Sequence, residues 1–236
     1  MNSGRRSPYH SPGWWASLVL GGSYCLAAWN SWTGDWVVVW KGSGVTCLAI
    51  WLFSLARASR QAPERILLQR LALVLALGAL GDVLLAIHGL VVGALAFAAG
   101  HLLALHAYGS PAIRRGSRRD PWAPLLGAGV SAGVTYALLQ GQALAPLAVV
   151  YALLVGAMAG AAWQSRLARH LTGLGACLFL VSDWLIFAGQ AIPAAVDLAR
   201  IGVWPLYFGG QALIAAGIAS DLALPSSTAA DGSVVG

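Results

Sequence analysis

The stretch Leu71–Ile87, LALVLALGALGDVLLAI, decides how the rest of the chain is read. It is a nearly unbroken aliphatic run of membrane-spanning character, and one carboxylate, Asp82, interrupts it. An ionised carboxylate at bilayer depth is costly unless it is paired or hydrated, so such a residue marks a site. A second run carries the same small-Asp-x-Leu-aliphatic phrase. Gly81-Asp82-Val83-Leu84-Leu85 is matched by Ser182-Asp183-Trp184-Leu185-Ile186. Two carboxylates in matching settings point to a pair that works together.

The whole chain has the same character. Of its 236 residues 58% are hydrophobic and 9% charged, with a mean hydropathy of +0.73. Soluble domains carry roughly 25% charged residues, so this is the composition of a polytopic membrane protein. The pI near 9.7 could indicate nucleic-acid binding. The basic residues instead fall between apolar runs rather than on one polar face, which argues against nucleic acid as a partner. Cys25, Cys47 and Cys177 all lie in apolar stretches and read as packing residues. Arg5 and Arg6 could begin a signal peptide, but no A-x-A cleavage site follows, so the first apolar segment is read as retained.

Eight segments reach the length of a membrane span: Trp14–Trp29, Trp36–Leu55, Leu67–Ile87, Leu90–Tyr108, Trp122–Leu139, Leu144–Trp163, Leu171–Gln190 and Ile201–Ser220. The loops test that number. Arg5 and Arg6; Arg57, Arg60, Arg65 and Arg70; Arg114, Arg115, Arg118 and Arg119; and Arg166 and Arg169 would all lie on one side, twelve of the fourteen Lys and Arg residues. The other side holds Asp35, Gln140, Gln142, Asp197 and Arg200. The positive-inside rule then puts both termini in the cytoplasm and requires an even number of helices. The expected fold is an all-α bundle of eight transmembrane helices: a cytoplasmic segment 1–13, a membrane domain 14–221 and a disordered tail 222–236 rich in Ser, Ala and Gly.

Asp82 and Asp183 would each sit on the third helix of a four-helix half, crossing in the same direction. The helices that follow also match loosely, Ala99-Gly100-His101-Leu102-Leu103 against Gly209-Gly210-Gln211-Ala212-Leu213. A parallel 4+4 repeat about an axis along the membrane normal would account for both.

Counting from the basic loops places Asp82, Asp183 and Lys41 at similar depth towards the extracytoplasmic side. Tyr151 and Tyr207 fall in the same outer half, with Gln211 near the middle of the eighth segment and His101 somewhat deeper. A shared depth is what one polar cavity requires. Each residue also has a plainer reading: the aspartates as hydrogen-bonding glue or as ion-pair partners of Lys41, Lys41 as a snorkelling side chain, His101 as a satisfied core histidine, and Tyr207 and Gln211 as bridges between helices. His88 and His106 read as interfacial, and Asp221 as a solvated helix end. No H-E-x-x-H or Cys/His cluster is present, and His101 and His106 are not spaced i, i+4. No metal and no cofactor is therefore expected, with a zinc site assembled from separate helices as the lesser alternative.

These residues resemble the YhhN-type lysoplasmalogenase family. The resemblance runs through Lys41, Leu77–Leu85 with its Gly-Asp, Phe97 through Gly100-His101 to Tyr108, Tyr151 with Met158, Gly175–Ile186 with Phe179 and Ser182-Asp183, and Tyr207 through Gln211 to Ile214. Its order and spacing hold over the second to eighth segments. The family commonly places proline after the lysine of the second helix, where this chain has Gly42. What the resemblance implies is hydrolysis of the vinyl-ether bond of a lysoplasmalogen, giving a fatty aldehyde and glycerophosphocholine or glycerophosphoethanolamine.

That chemistry suits two carboxyl groups. A vinyl ether is cleaved by protonating its terminal alkene carbon; water attacks the resulting oxocarbenium ion, and the hemiacetal collapses. One group must deliver a proton while another stabilises the cation and deprotonates water. Two carboxyls in one low-dielectric cavity separate their titrations and suit this division. Asp82 and Asp183 are the expected acid/base pair, and nothing in the sequence says which is the acid. Lys41 or His101 would tune the pair or bind phosphate, and Tyr151 joins the substrate-binding set. Tyr207 and Gln211 would orient the glycerol or water. The partners expected are a lysophospholipid substrate and membrane lipids. The alternative classes are a proton-coupled transporter or lipid-binding membrane protein using the same aspartates, and a hydrolase of another lysolipid. Ala-, Gly-, Leu- and Arg-rich usage points to a GC-rich bacterial source and hence to the bacterial cytoplasmic membrane.

Overall fold

The computed structural model describes residues 7–111, 113 and 122–222. Among the described residues eight α-helices form: α1 (Pro12–Trp29), α2 (Asp35–Ala58), α3 (Ala62–His88), α4 (Leu90–Tyr108), α5 (Trp122–Leu139), α6 (Ala145–Gln164), α7 (Leu174–Ala191) and α8 (Val196–Leu222). There is no strand among the described residues. Arg5, Arg6, Arg114, Arg115, Arg118 and Arg119 lie outside the described residues, as does the expected tail from residue 223 onward. Several helices run past the apolar segments that announce them, because a helix continues after its side chains turn polar. Arg57, Arg65 and Arg70 are all helical, and α8 carries through Leu222.

Seven of the eight helices, α2 to α8, are long and apolar enough to cross a membrane. The lipid-facing character shows in what is exposed: Val39, Leu73, Leu95, Leu102, Leu126 and Val150 point outward, while Asp82, His101, Asp183 and Gln211 are buried. Apolar surface around an interior that holds the few buried polar groups is the arrangement a bilayer favours, and the protein is a multi-pass membrane protein. The first helix, expected to span with the rest, falls short of the same measure, since Gly, Ser and Trp take up much of its 18 residues. It nevertheless runs antiparallel along α2, with Gly13 against Trp51 and Gly21 against Gly44.

Two sequence features fix local geometry. Gly89, at φ 83°, ends α3 and begins α4 as a single-residue hinge, a backbone state that side chains disfavour. Gly175 and Gly210 let α7 and α8 touch backbone to backbone: a Cβ on either would lie 2.6 Å from the other's carbonyl oxygen. A π-turn at Arg169–Gly173 leads into α7. Asp221, expected to be merely solvated, accepts the backbone N–H of Ala168 at 2.7 Å and ties the end of α8 to the α6–α7 connection.

α8 is the most buried helix and organises the bundle. Asp82 meets Tyr207 while Gly78, one turn earlier, faces Gln211, so α3 is antiparallel to α8. Gly175 meets Gly210 and Leu185 meets Gly202, so α7 is antiparallel to α8 as well. The two aspartate helices therefore run in the same direction. The 4+4 pattern is visible only in part. α2 meets α8 as α6 meets α4, but α2 packs closely along α3 whereas α6 touches α7 only slightly. α5 stands at the edge, packed mainly on α6.

Candidate functional site

The helices bring the seven expected site residues together as two clusters rather than one cavity. The first lies among α2, α3 and α8. Tyr207 donates its hydroxyl hydrogen to Asp82 Oδ2 at 2.7 Å. Lys41, from α2, sits within electrostatic range of the same carboxyl without a direct ion pair among the described residues. Gly42 makes this approach feasible: a Cβ there would meet Val83 Cγ2 at 2.8 Å, so the missing side chain lets α2 close on α3 beside Asp82. Gly78 does the same for α8. A Cβ on it would lie 3.1 Å from Gln211 Nε2 and 3.6 Å from the Tyr207 hydroxyl.

The second cluster lies among α4, α6 and α7. Tyr151 donates to Asp183 Oδ2 at 2.9 Å, and His101 Nε2 lies 3.3 Å from the Tyr151 oxygen. With the phenol hydrogen directed at Asp183, this contact requires His101 to carry its proton on Nε2 and to donate. Asp183 thus takes one internal hydrogen bond, at Oδ2, and has no charged side chain as a direct partner among the described residues.

Aromatic rings form the partition. Phe97 and Phe179 stand edge-on at 6.0 Å between ring centres, Phe97 and Phe179 approach Tyr207 at 5.8 and 5.3 Å, and His101 meets Phe179 at 5.0 Å. Among the described residues no hydrogen bond joins the two carboxyls; each holds its own tyrosine. They remain connected, because Tyr207 lies in the field of both.

A groove enclosing about 550 Å³ of empty space, its open mouth included, reaches the second cluster. Its walls are apolar, from α3, α4, α6 and α7, and Tyr151 and Asp183 supply the polar groups of its lining. Asp82 does not line it. A mostly apolar concavity with a few converging polar groups is the usual form of a small-molecule site. No three His, Cys, Asp or Glu side chains converge among the described residues as a metal centre would need. His106 bonds Arg70 at 3.4 Å near the basic end, away from both clusters.

The family model described as the YhhN family matches residues 36–218, which include all seven of these side chains and exclude α1. The chain belongs to the YhhN family. No curated protein and no solved structure matches the chain significantly.

Within this YhhN-family frame, the residues that sequence reading left without a role are the spacers. Phe97 and Phe179 appeared only as matching letters, yet they partition the site. Gly42 and Gly78 act by lacking a side chain, and only the position of the facing helix reveals that. Ala94 and Ala148, which line the groove, look like any other alanine in an apolar run.

Proposed function

We propose that the protein is a lysoplasmalogenase-like hydrolase of the bacterial cytoplasmic membrane, cleaving the vinyl-ether bond of a lysoplasmalogen to a fatty aldehyde and a glycerophosphodiester. The observation that carries this reading is the hydrogen-bonded Asp183–Tyr151 pair at the wall of an apolar groove, with a second carboxyl, Asp82, behind the Phe97–Phe179 partition.

The chemistry maps onto these groups. A carboxylic acid transfers its proton to the terminal alkene carbon, and the neighbouring carbon becomes an oxocarbenium ion. A carboxylate then accepts a proton from water as the water oxygen bonds to that carbon. As the hemiacetal collapses, the proton taken from water passes to the departing glycerol oxygen and the hydroxyl proton returns to the first carboxylate, leaving the aldehyde, so one water is consumed and both carboxyls return to their starting states. The tyrosines keep each carboxyl in place by donating to one oxygen, and Lys41 and Gln211 offer polar contacts for the phosphoglycerol end or the water.

Purified protein in detergent, incubated with a lysoplasmenyl lipid, is expected to release fatty aldehyde measurable by mass spectrometry. Asp82→Asn or Asp183→Asn is expected to lower that rate by about 10²–10⁴-fold, the usual scale for losing an acid/base group, with an unchanged elution profile and thermal midpoint. Full activity in either variant removes the mechanism. Proton-coupled flux in proteoliposomes without aldehyde release would favour a carrier using the same aspartates.

A further inference from the structure

The structure assigns the two carboxyls unequal positions: lipid hydrocarbon reaches Asp183 from the bilayer between α4 and α6 and does not reach Asp82, so Asp183 is the carboxyl that meets the alkenyl carbons and protonates them. The entry path stands on geometry alone. The identity of the reacting bond rests on the hydrolase reading above.

Two observations carry it. The groove is lined at its mouth by Leu90, Val91, Leu144 and Leu147, all at the start of α4 or beside the start of α6 and all partly or largely exposed. The mouth is thus continuous with the apolar outer surface of the bundle, where lipid chains lie. From Leu90 to Phe97 the groove descends roughly 10 Å at about 1.5 Å per residue, and its lining stays hydrocarbon until Tyr151 and Asp183.

The placement also makes chemical sense of the Asp183 hydrogen bond. Tyr151 donates to Oδ2, so Oδ1 is the oxygen that can carry a proton to carbon. The carbon to be protonated is the second carbon of the chain, beside the ether, so its acid must be a carboxyl that the path of the chain reaches. Asp82 lines no part of this path and is left to act on water or to stabilise the cation.

Two measurements test this without relying on turnover. Dicyclohexylcarbodiimide, an apolar reagent, adds to a protonated carboxyl to give an O-acylisourea that rearranges to a stable N-acylurea. Peptide mass spectrometry of the treated full-length protein is expected to find the adduct on Asp183 at least tenfold over Asp82, and a non-cleavable alkyl-ether lysophosphatidylcholine should protect it. The second measurement uses a lysophosphatidylcholine with a diazirine on its alkyl chain. Crosslinks are expected on the first halves of α4 and α6 and on Phe187, and Ala148→Trp should remove them while the thermal midpoint holds. Adduct on Asp82 alone, or equally on both, overturns the assignment. If neither aspartate is labelled, the crosslinks decide: those on the groove sustain the path, and those centred on α2 and α8 overturn it. Failure of the hydrolase reading looks different, since labelling and crosslinking would persist with no aldehyde released.

Discussion

Asp82 and Asp183 are legible in the sequence because a lone carboxylate in an aliphatic run stands out against its neighbours. Which tyrosine bonds which aspartate is not. Tyr151 and Asp183 are separated by 32 positions and Tyr207 and Asp82 by 125, and no spacing rule along the chain connects them. The hydrogen bonds they make are the natural target at this scale. Tyr151→Phe removes the donor to Asp183 and the acceptor of His101 while keeping the ring. A lost hydrogen bond to a buried acid group costs about 1–3 kcal/mol, so kcat should fall about 5–150-fold with KM nearly unchanged. Steady-state kinetics with a lysoplasmenyl lipid checks this, and an effect confined to KM would reduce Tyr151 to a binding residue. Gly42 and Gly78 are the residues least legible in the sequence: their contribution is empty space, which has meaning only against Val83 and Gln211 on the facing helices.

At the scale of elements, the spans were largely readable, since an apolar run of the right length has one stable form in lipid, a helix with its backbone bonds satisfied internally. What composition could not show was how a defect in one helix is repaired by another. Pro205 lies inside α8 and has no N–H for the carbonyl of Ile201 one turn earlier. Trp29, at the end of α1, donates its indole N–H to that carbonyl at 3.0 Å. Nearby, Trp204 reaches back to the Gly21 carbonyl at 2.7 Å, so α1 and α8 are joined by two indoles. Trp29→Phe is expected to cost about 1 kcal/mol, seen as a lower thermal midpoint in detergent. Pro205→Ala supplies the missing N–H, and in that background the cost of Trp29→Phe should largely vanish. A double-mutant cycle measures the coupling; simple additivity would show that the indole does not serve this carbonyl. The same pair of bonds explains why α1, weak as a span by composition, holds its place in the bundle.

At the scale of the whole molecule, charge and contact give one orientation. Arg57, Arg60, Arg65, Arg70, Arg166 and Arg169 gather at the end formed by the α2–α3 and α6–α7 connections. At the opposite end Arg200 is paired with Asp197 at 2.6 Å, which sharpens the asymmetry. The positive-inside rule then predicts a cytoplasmic basic end and a groove mouth at the outer leaflet. Reporter fusions test it: a reporter active only in the cytoplasm should work when fused at the C-terminus and fail when fused in the α5–α6 connection near Gln142. The reverse pattern would turn the groove towards the inner leaflet.

By itself, the sequence determined that this chain is a helical membrane bundle, roughly where each helix runs, and that two carboxyls lie within it, because hydrophobic run length and the cost of charge in lipid are properties of local composition. Tertiary structure alone decided that the expected single polar cavity is two tyrosine-anchored clusters separated by Phe97 and Phe179, and that one of them, at Asp183, meets an apolar groove. Those outcomes depend on how closely helices approach. That approach is set by pairs of small residues facing one another across the bundle, such as Gly175 and Gly210, and a linear pattern does not encode which residues will face.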